Sequence, residues 1–260
     1  MSAVVCDCST ASYELCAISY VLISTIHKIY SRTLKGGMVL KLYLIANIIG
    51  FVCSLFGFIY GAVVFFRPKK AVYAQMITLS FGCSAFGRLF YIVRLLSSGF
   101  ITGSVQLGFF GIVGGFMFFF SSNFGLMDTL IDDKSKEYMK YRLIAIIAPA
   151  LFVTTYAVLF IPADITLMWK ILGGVITVPI ALSTYFNLKH LIFPDVDYGV
   201  AKCLRPYNFL VLVYSVAILL ETVALSRDNA VMALVCCIVT GLISVAVMPL
   251  VVRGVKKWKI

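Results

Sequence analysis

Seven apolar stretches follow one another along the chain, at 42–66, 72–96, 105–131, 143–162, 168–188, 207–226 and 230–252. Each reaches the roughly 20 residues that a helix needs to cross a bilayer. The separators are turn-like or charged: Arg67-Pro68-Lys69-Lys70, Ser97-Ser98-Gly99, Asp132 through Glu137, Pro162-Ala163-Asp164 and Ser226 through Asn229. The pattern predicts an all-α fold, a polytopic integral membrane bundle of seven transmembrane helices over 42–252, with a short basic tail at 253–260. Residues 1–41 form a separate N-terminal segment whose apolar run, 15–26, reads equally as an eighth, first helix or as a helix lying in the interface. No basic stretch precedes that run, so it does not fit a signal peptide.

Composition agrees and narrows the function classes. The 260 residues are 62% hydrophobic and 13% charged, against about 45–50% and about 25% in ordinary soluble domains. A water-soluble globule is excluded, and no length remains for a soluble kinase, nucleotide-binding or DNA-binding domain. The net charge of +11 would suggest nucleic acid in a soluble protein, but its placement gives another reading. Fourteen Lys and Arg residues fall on alternate connections and the tail, while the connections of opposite parity after residue 66 contribute Arg227 alone. The basic side is therefore expected to be cytoplasmic, with the C-terminus on it, in a plasma membrane. Lys28, Arg32, Lys35 and Lys41 dissent. Spread over four sites, the basic residues suit anionic lipid head groups; the bilayer is the expected partner and nucleic acid is not.

Ionisable residues inside spans are costly, and each is a candidate for function. Arg88 lies well inside 72–96, Arg94 near its outer end, Glu221 near the outer end of 207–226 and Lys170 near that of 168–188. At 1.5 Å per residue, Arg88 and Glu221 lie roughly 12 Å and roughly 8 Å from the outer ends of their spans, so an ion pair is expected. If Arg94, Lys170 and Gln106 converge on the pair, they line an outward basic pocket for a small anionic or zwitterionic ligand, with Glu221 as counter-ion. Otherwise Arg94 and Lys170 snorkel to the head groups beside Trp169.

Glycines at Gly57 and Gly61, and at Gly108, Gly111 and Gly115, are spaced for close helix packing. Towards the inner end of 105–131, Asn123 and Asp128 form a polar patch. On one continuous helix they stand about 140° apart, which gives them different faces, and Asp128 marks the helix exit. Pro149, Pro179 and Pro249 are expected to kink their spans. The two histidines, His27 and His190, each adjoin a lysine at the end of an apolar run, with no metal-ligand or histidine-carboxylate motif near them. Eight cysteines show no Cys-x-x-Cys pair. No catalytic residue, metal or cofactor is expected, and enzymatic function ranks last.

Three classes follow. The first is a receptor-like or sensory bundle that binds a small ligand from the outer side and signals through a membrane or cytoplasmic partner. The second is a secondary transporter or channel subunit, disfavoured because the buried charges cluster outward and internal symmetry is weak. The third is an assembly partner in a membrane complex.

Overall fold

A computed structural model describes residues 38–66, 71–98, 107–194, 200–227 and 229–258. The N-terminal segment at 1–37, Gln106 and the basic connection at 67–70 lie outside the described residues. Nine α-helices occur among those that are described: α1 (Met38–Phe65), α2 (Val72–Ser98), α3 (Leu107–Asn123), α4 (Leu126–Ile131), α5 (Met139–Ala145), α6 (Ile147–Leu159), α7 (Leu167–Ile192), α8 (Val200–Ser226) and α9 (Ala230–Trp258). A single 3₁₀ turn, Lys136–Tyr138, precedes α5.

Among the described residues, six helices are long and apolar enough to cross a membrane: Leu40–Phe65, Val72–Ser97, Lys136–Leu159, Leu167–Ile192, Lys202–Ser226 and Ala230–Lys257. The expected continuous span at 105–131 is instead broken. It divides into α3, 17 residues long, and the short α4, because Gly125 adopts a φ of +76° that ends one helix and starts the next at a new angle. The expected 143–162 span carries a milder interruption. Pro149 has no N–H to donate to the Ala145 carbonyl, and α5 gives way to α6 through a single turn residue, Ile146. Conversely, α8 begins at Val200, earlier than the expected 207, and incorporates Pro206.

Packing closes six of the helices into a ring in the order α1, α2, α3, α7, α8, α9 and back to α1, while α6 lies outside against α7. The apolar outer surface of α6, with Ile147, Leu151, Val153 and Val158 exposed, is the composition of a lipid-facing helix. One end of the ring carries the C-termini of α2 and α8 with the N-termini of α3 and α9, and the other carries the C-terminus of α7 and the N-terminus of α8. They are called outer and inner below, the sides that the charge asymmetry predicts. At α2 and α3 the helices meet on glycine. A Cβ on Gly108 would stand 2.6 Å from the Gly87 carbonyl oxygen, and one on Gly111 would stand 2.6 Å from the Gly87 backbone. Gly115 lies against Ser80 and Ser84 of α2, Gly57 of α1 against the Ser244 carbonyl of α9, and Gly61 against Thr78 and Met248.

Candidate functional site

The ring interior is layered, and α8 supplies the central side chain of each layer. Tyr207, Tyr214 and Glu221 are seven residues apart, so they form one stripe that drifts only about 20° per step and places the layers about 10 Å apart.

In the outer layer Arg88 of α2 and Glu221 of α8 form a two-pronged ion pair. Nη1 donates to Oε1, and Nη2 donates to Oε2 at 2.6 Å. Both residues are 3% exposed. Four helices meet there: Cys237 of α9 lies 2.9 Å from Arg88 Nη1 and 3.2 Å from Glu221 Oε1, and Asn47 Oδ1 of α1 accepts from Arg88 at 3.5 Å. Placing two charges in an apolar interior is tolerable only when such partners satisfy them. Of the other residues of the expected basic pocket, Gln106 lies outside the described residues, and Arg94 and Lys170 do not join this pair. Arg94 is exposed on a shallow outer cleft of about 170 Å³ shared with Phe90, Tyr91 and Ser97. Lys170 donates to the Ile161 carbonyl at 2.8 Å, and its neighbour Trp169 is buried in the bundle.

The middle layer is aromatic. Phe81, Phe116, Phe119 and Tyr214 pack edge to face and tilted, with ring centroids 5.6–6.4 Å apart. The one polar contact within it is the Tyr214 hydroxyl donating to Ser84 Oγ at 3.3 Å.

The inner layer is the richest and was misread from the sequence in three respects. First, Asn123 and Asp128 do converge: Asn123 Oδ1 lies 3.3 Å from His190 Nδ1, and Asp128 Oδ1 lies 3.1 Å from His190 Nε2. The 140° separation holds only for an unbroken helix, and the Gly125 break resets the phase between them. Second, a histidine-carboxylate cluster exists, assembled from α4 and α7 and so invisible to linear spacing. Third, Lys189 is not a solvent-facing anchor. It is 3% exposed, and its Nζ lies 2.6 Å from Asp128 and 2.7 Å from Asp132.

Asp132 completes the cluster. Arg142 Nε donates to Oδ2 at 2.8 Å and Nη2 to Oδ1 at 2.5 Å, while the Lys134 amide donates to Oδ1 at 2.9 Å. Burial alone raises a carboxyl pKa, but the bonds from Arg142, Lys189 and the Lys134 amide outweigh it and hold Asp132 well below the usual carboxylate range. Beside this cluster, Ser122 Oγ lies 3.0 Å from the Tyr207 hydroxyl; since Ser122 donates to the Phe119 carbonyl, Tyr207 is the donor. A cavity of about 350 Å³ opens at this level, lined by Tyr73, Met76, Ser122, Phe124 and Met127 among others.

The residues missed from the sequence are thus Lys189, His190, Asp132, Arg142, Asn187, Tyr207 and Tyr214. The seven-residue spacing on α8 was a readable signal for two of them. No group of three or more metal-ligating side chains forms among the described residues. Compared with family models, with curated proteins and with solved structures, the chain has no match to any of them.

Proposed function

We propose that this protein is a secondary transporter of a small charged solute, with seven spans counting α3 and α4 as one, its C-terminus cytoplasmic, in the plasma membrane. The observation that carries the reading is the layering: an ionisable outer site at Arg88 and Glu221, a closed aromatic layer, and an ionisable inner site at Asp128, Asp132, Lys189 and His190. Charges buried only in the outer half suit a receptor. Charges buried in both halves, with an apolar seal between them, suit a molecule that exposes each site in turn. The inner cavity beside Ser122 gives the inner site a vestibule. Solutes that would exchange with the Arg88 and Glu221 pair are anionic or zwitterionic, because a guanidinium fork accepts a carboxylate or phosphate in place of Glu221.

A receptor-like bundle is the second reading, favoured by the outer cleft that Tyr91 and Arg94 line. One experiment separates the two. Full-length protein is reconstituted in proteoliposomes, and uptake of radiolabelled amino acids, carboxylates and phosphate esters is measured against protein-free vesicles. Transport gives saturable uptake that is lost in Glu221→Gln. A solute that raises the melting temperature without any uptake is the result expected of a receptor and overturns the transport reading.

A further inference from the structure

Hydrogen-bond directions around His190 can be fixed one after another from a single backbone carbonyl. Asn187 approaches the Ser183 carbonyl at 2.7 Å, and because a carbonyl only accepts, the atom facing it is the Asn187 amide nitrogen. Asn187 Oδ1 is then the atom that faces Asn123, so Asn123 Nδ2 donates to it, at 3.0 Å. That leaves Asn123 Oδ1 facing His190 Nδ1, which must carry a proton to bond it. On a neutral imidazole the other nitrogen, Nε2, would then be bare, yet it lies 3.1 Å from Asp128 Oδ1, an acceptor. Two acceptors face each other unless one more proton is present.

We infer that His190 and Asp128 together hold that extra proton and form the coupling-proton site of the transporter, an inference that rests on the transport reading for its role but not for its chemistry. In the occupied state the imidazolium donates from Nδ1 to Asn123 and from Nε2 to the Asp128 carboxylate. On release the proton leaves Nε2 for water at the inner side, giving a neutral imidazole protonated at Nδ1 and a carboxylate opposite its lone pair. This contact is then repulsive, and α4 must part from α7 or the ring must turn. Proton loss and movement of the inner site are one event.

The charged and titratable groups around the ring are accounted for element by element. Asp128 comes from α4 and Asp132 from the segment after it. Arg142 of α5 acts on Asp132, and Lys189 is the ring's neighbour on α7, bonded to both carboxylates. Tyr207 of α8 reaches Ser122 and Asn123. With Asp128 and Asp132 balancing Lys189 and Arg142, the site is neutral when the histidine is neutral, so occupancy adds a single positive charge.

The test is nitrogen-15 histidine NMR on the full-length chain in nanodiscs, in a His27→Gln background that leaves His190 the only histidine. The expected result, over the pH range in which the protein stays folded, is an imidazolium protonated on both nitrogens that loses one proton in a single step as the pH is raised. Asp128→Asn supplies an amide donor to Nε2, so the ring should stay neutral across that range. Asn123→Leu removes the acceptor at Nδ1, so the ring should instead be neutral and protonated at Nε2. A wild-type ring that is neutral with a bare Nε2 throughout overturns the inference, as does an Asp128→Asn ring that titrates like wild type. A ring that behaves as expected in a protein giving no solute uptake leaves the proton site standing and removes the transport reading. Solute uptake with a ring neutral at every pH does the reverse.

Discussion

Arg88 and Glu221 meet from α2 and α8, which stand on opposite sides of the six-helix ring, so their contact is a strut across the interior. Neighbouring helices in the ring meet on apolar and glycine packing, with hydrogen bonds such as Asn123 to Asn187 between α3 and α7 added to it. The strut alone ties the far walls together in the outer layer, with Asn47 and Cys237 as its side supports.

Removing one end of that strut should be far worse than removing both. Arg88→Ala leaves a buried carboxylate without its partner and is expected to cost about 3–5 kcal/mol, whereas the double variant Arg88→Met with Glu221→Leu should lie close to wild type in stability. Thermal unfolding of the three proteins in detergent gives the comparison. If the double variant proves no more stable than Arg88→Ala, the strut is not the energetic unit described here.

The α2 and α3 contact makes a graded series possible. Gly111→Ala puts a methyl group 2.6 Å from the Gly87 backbone, which has no flexible end to yield, and should cost about 1–3 kcal/mol. Gly114→Ala, whose added carbon would meet the Cys83 side chain at an ordinary 3.5 Å, should be neutral. Gly125→Ala meets nothing within 4 Å but must hold a φ of +76°, and should cost about 1–2 kcal/mol through backbone strain alone. Melting temperatures should rank the three in that sense.

Asp132 makes stability depend on acid. Its folded pKa is depressed below the ordinary value of about 4, so the stabilisation is complete above that pH and is lost as the pH falls below it. The wild-type melting temperature should therefore fall progressively as the pH drops below about 4. Asp132→Asn should start about 2 kcal/mol less stable at neutral pH and show a flatter profile. Parallel slopes for the two proteins would contradict the assignment.

Asn208, beside Tyr207 on α8, is completely buried, and neither side-chain polar atom has a hydrogen-bond partner among the described residues. A buried amide left in this way costs about 1–3 kcal/mol, so Asn208→Leu should raise the melting temperature. If solute uptake falls in the stabilised variant, Asn208 serves the solute of the proposed transport.

Reading the chain alone recovers the class of fold because apolar length is a one-dimensional property. It also points to Arg88 and Glu221, since a charge deep in an apolar stretch is conspicuous wherever its partner lies. The inner site was hidden for physical reasons. Lys189 and His190 sit where a cytoplasmic anchor would sit, and only three-dimensional packing turns them inward against Asp128 and Asp132. Asn123 and Asp128 were given different faces by helical arithmetic that assumes regular dihedrals, and Gly125 departs from them inside a run whose composition, Phe124-Gly125-Leu126-Met127, looks uninterrupted. The count of spans was affected by the same residue.

Because Tyr207, Tyr214 and Glu221 all project from α8, that one helix has a side chain in every layer of the interior. A small rotation of it would swing the outer strut, the aromatic seal and the inner hydroxyl pair through the same angle, as cams turn on a single shaft. The contact between α4 and α7 at His190 stands off that shaft, so the proton site is free to open while the strut and the seal stay closed.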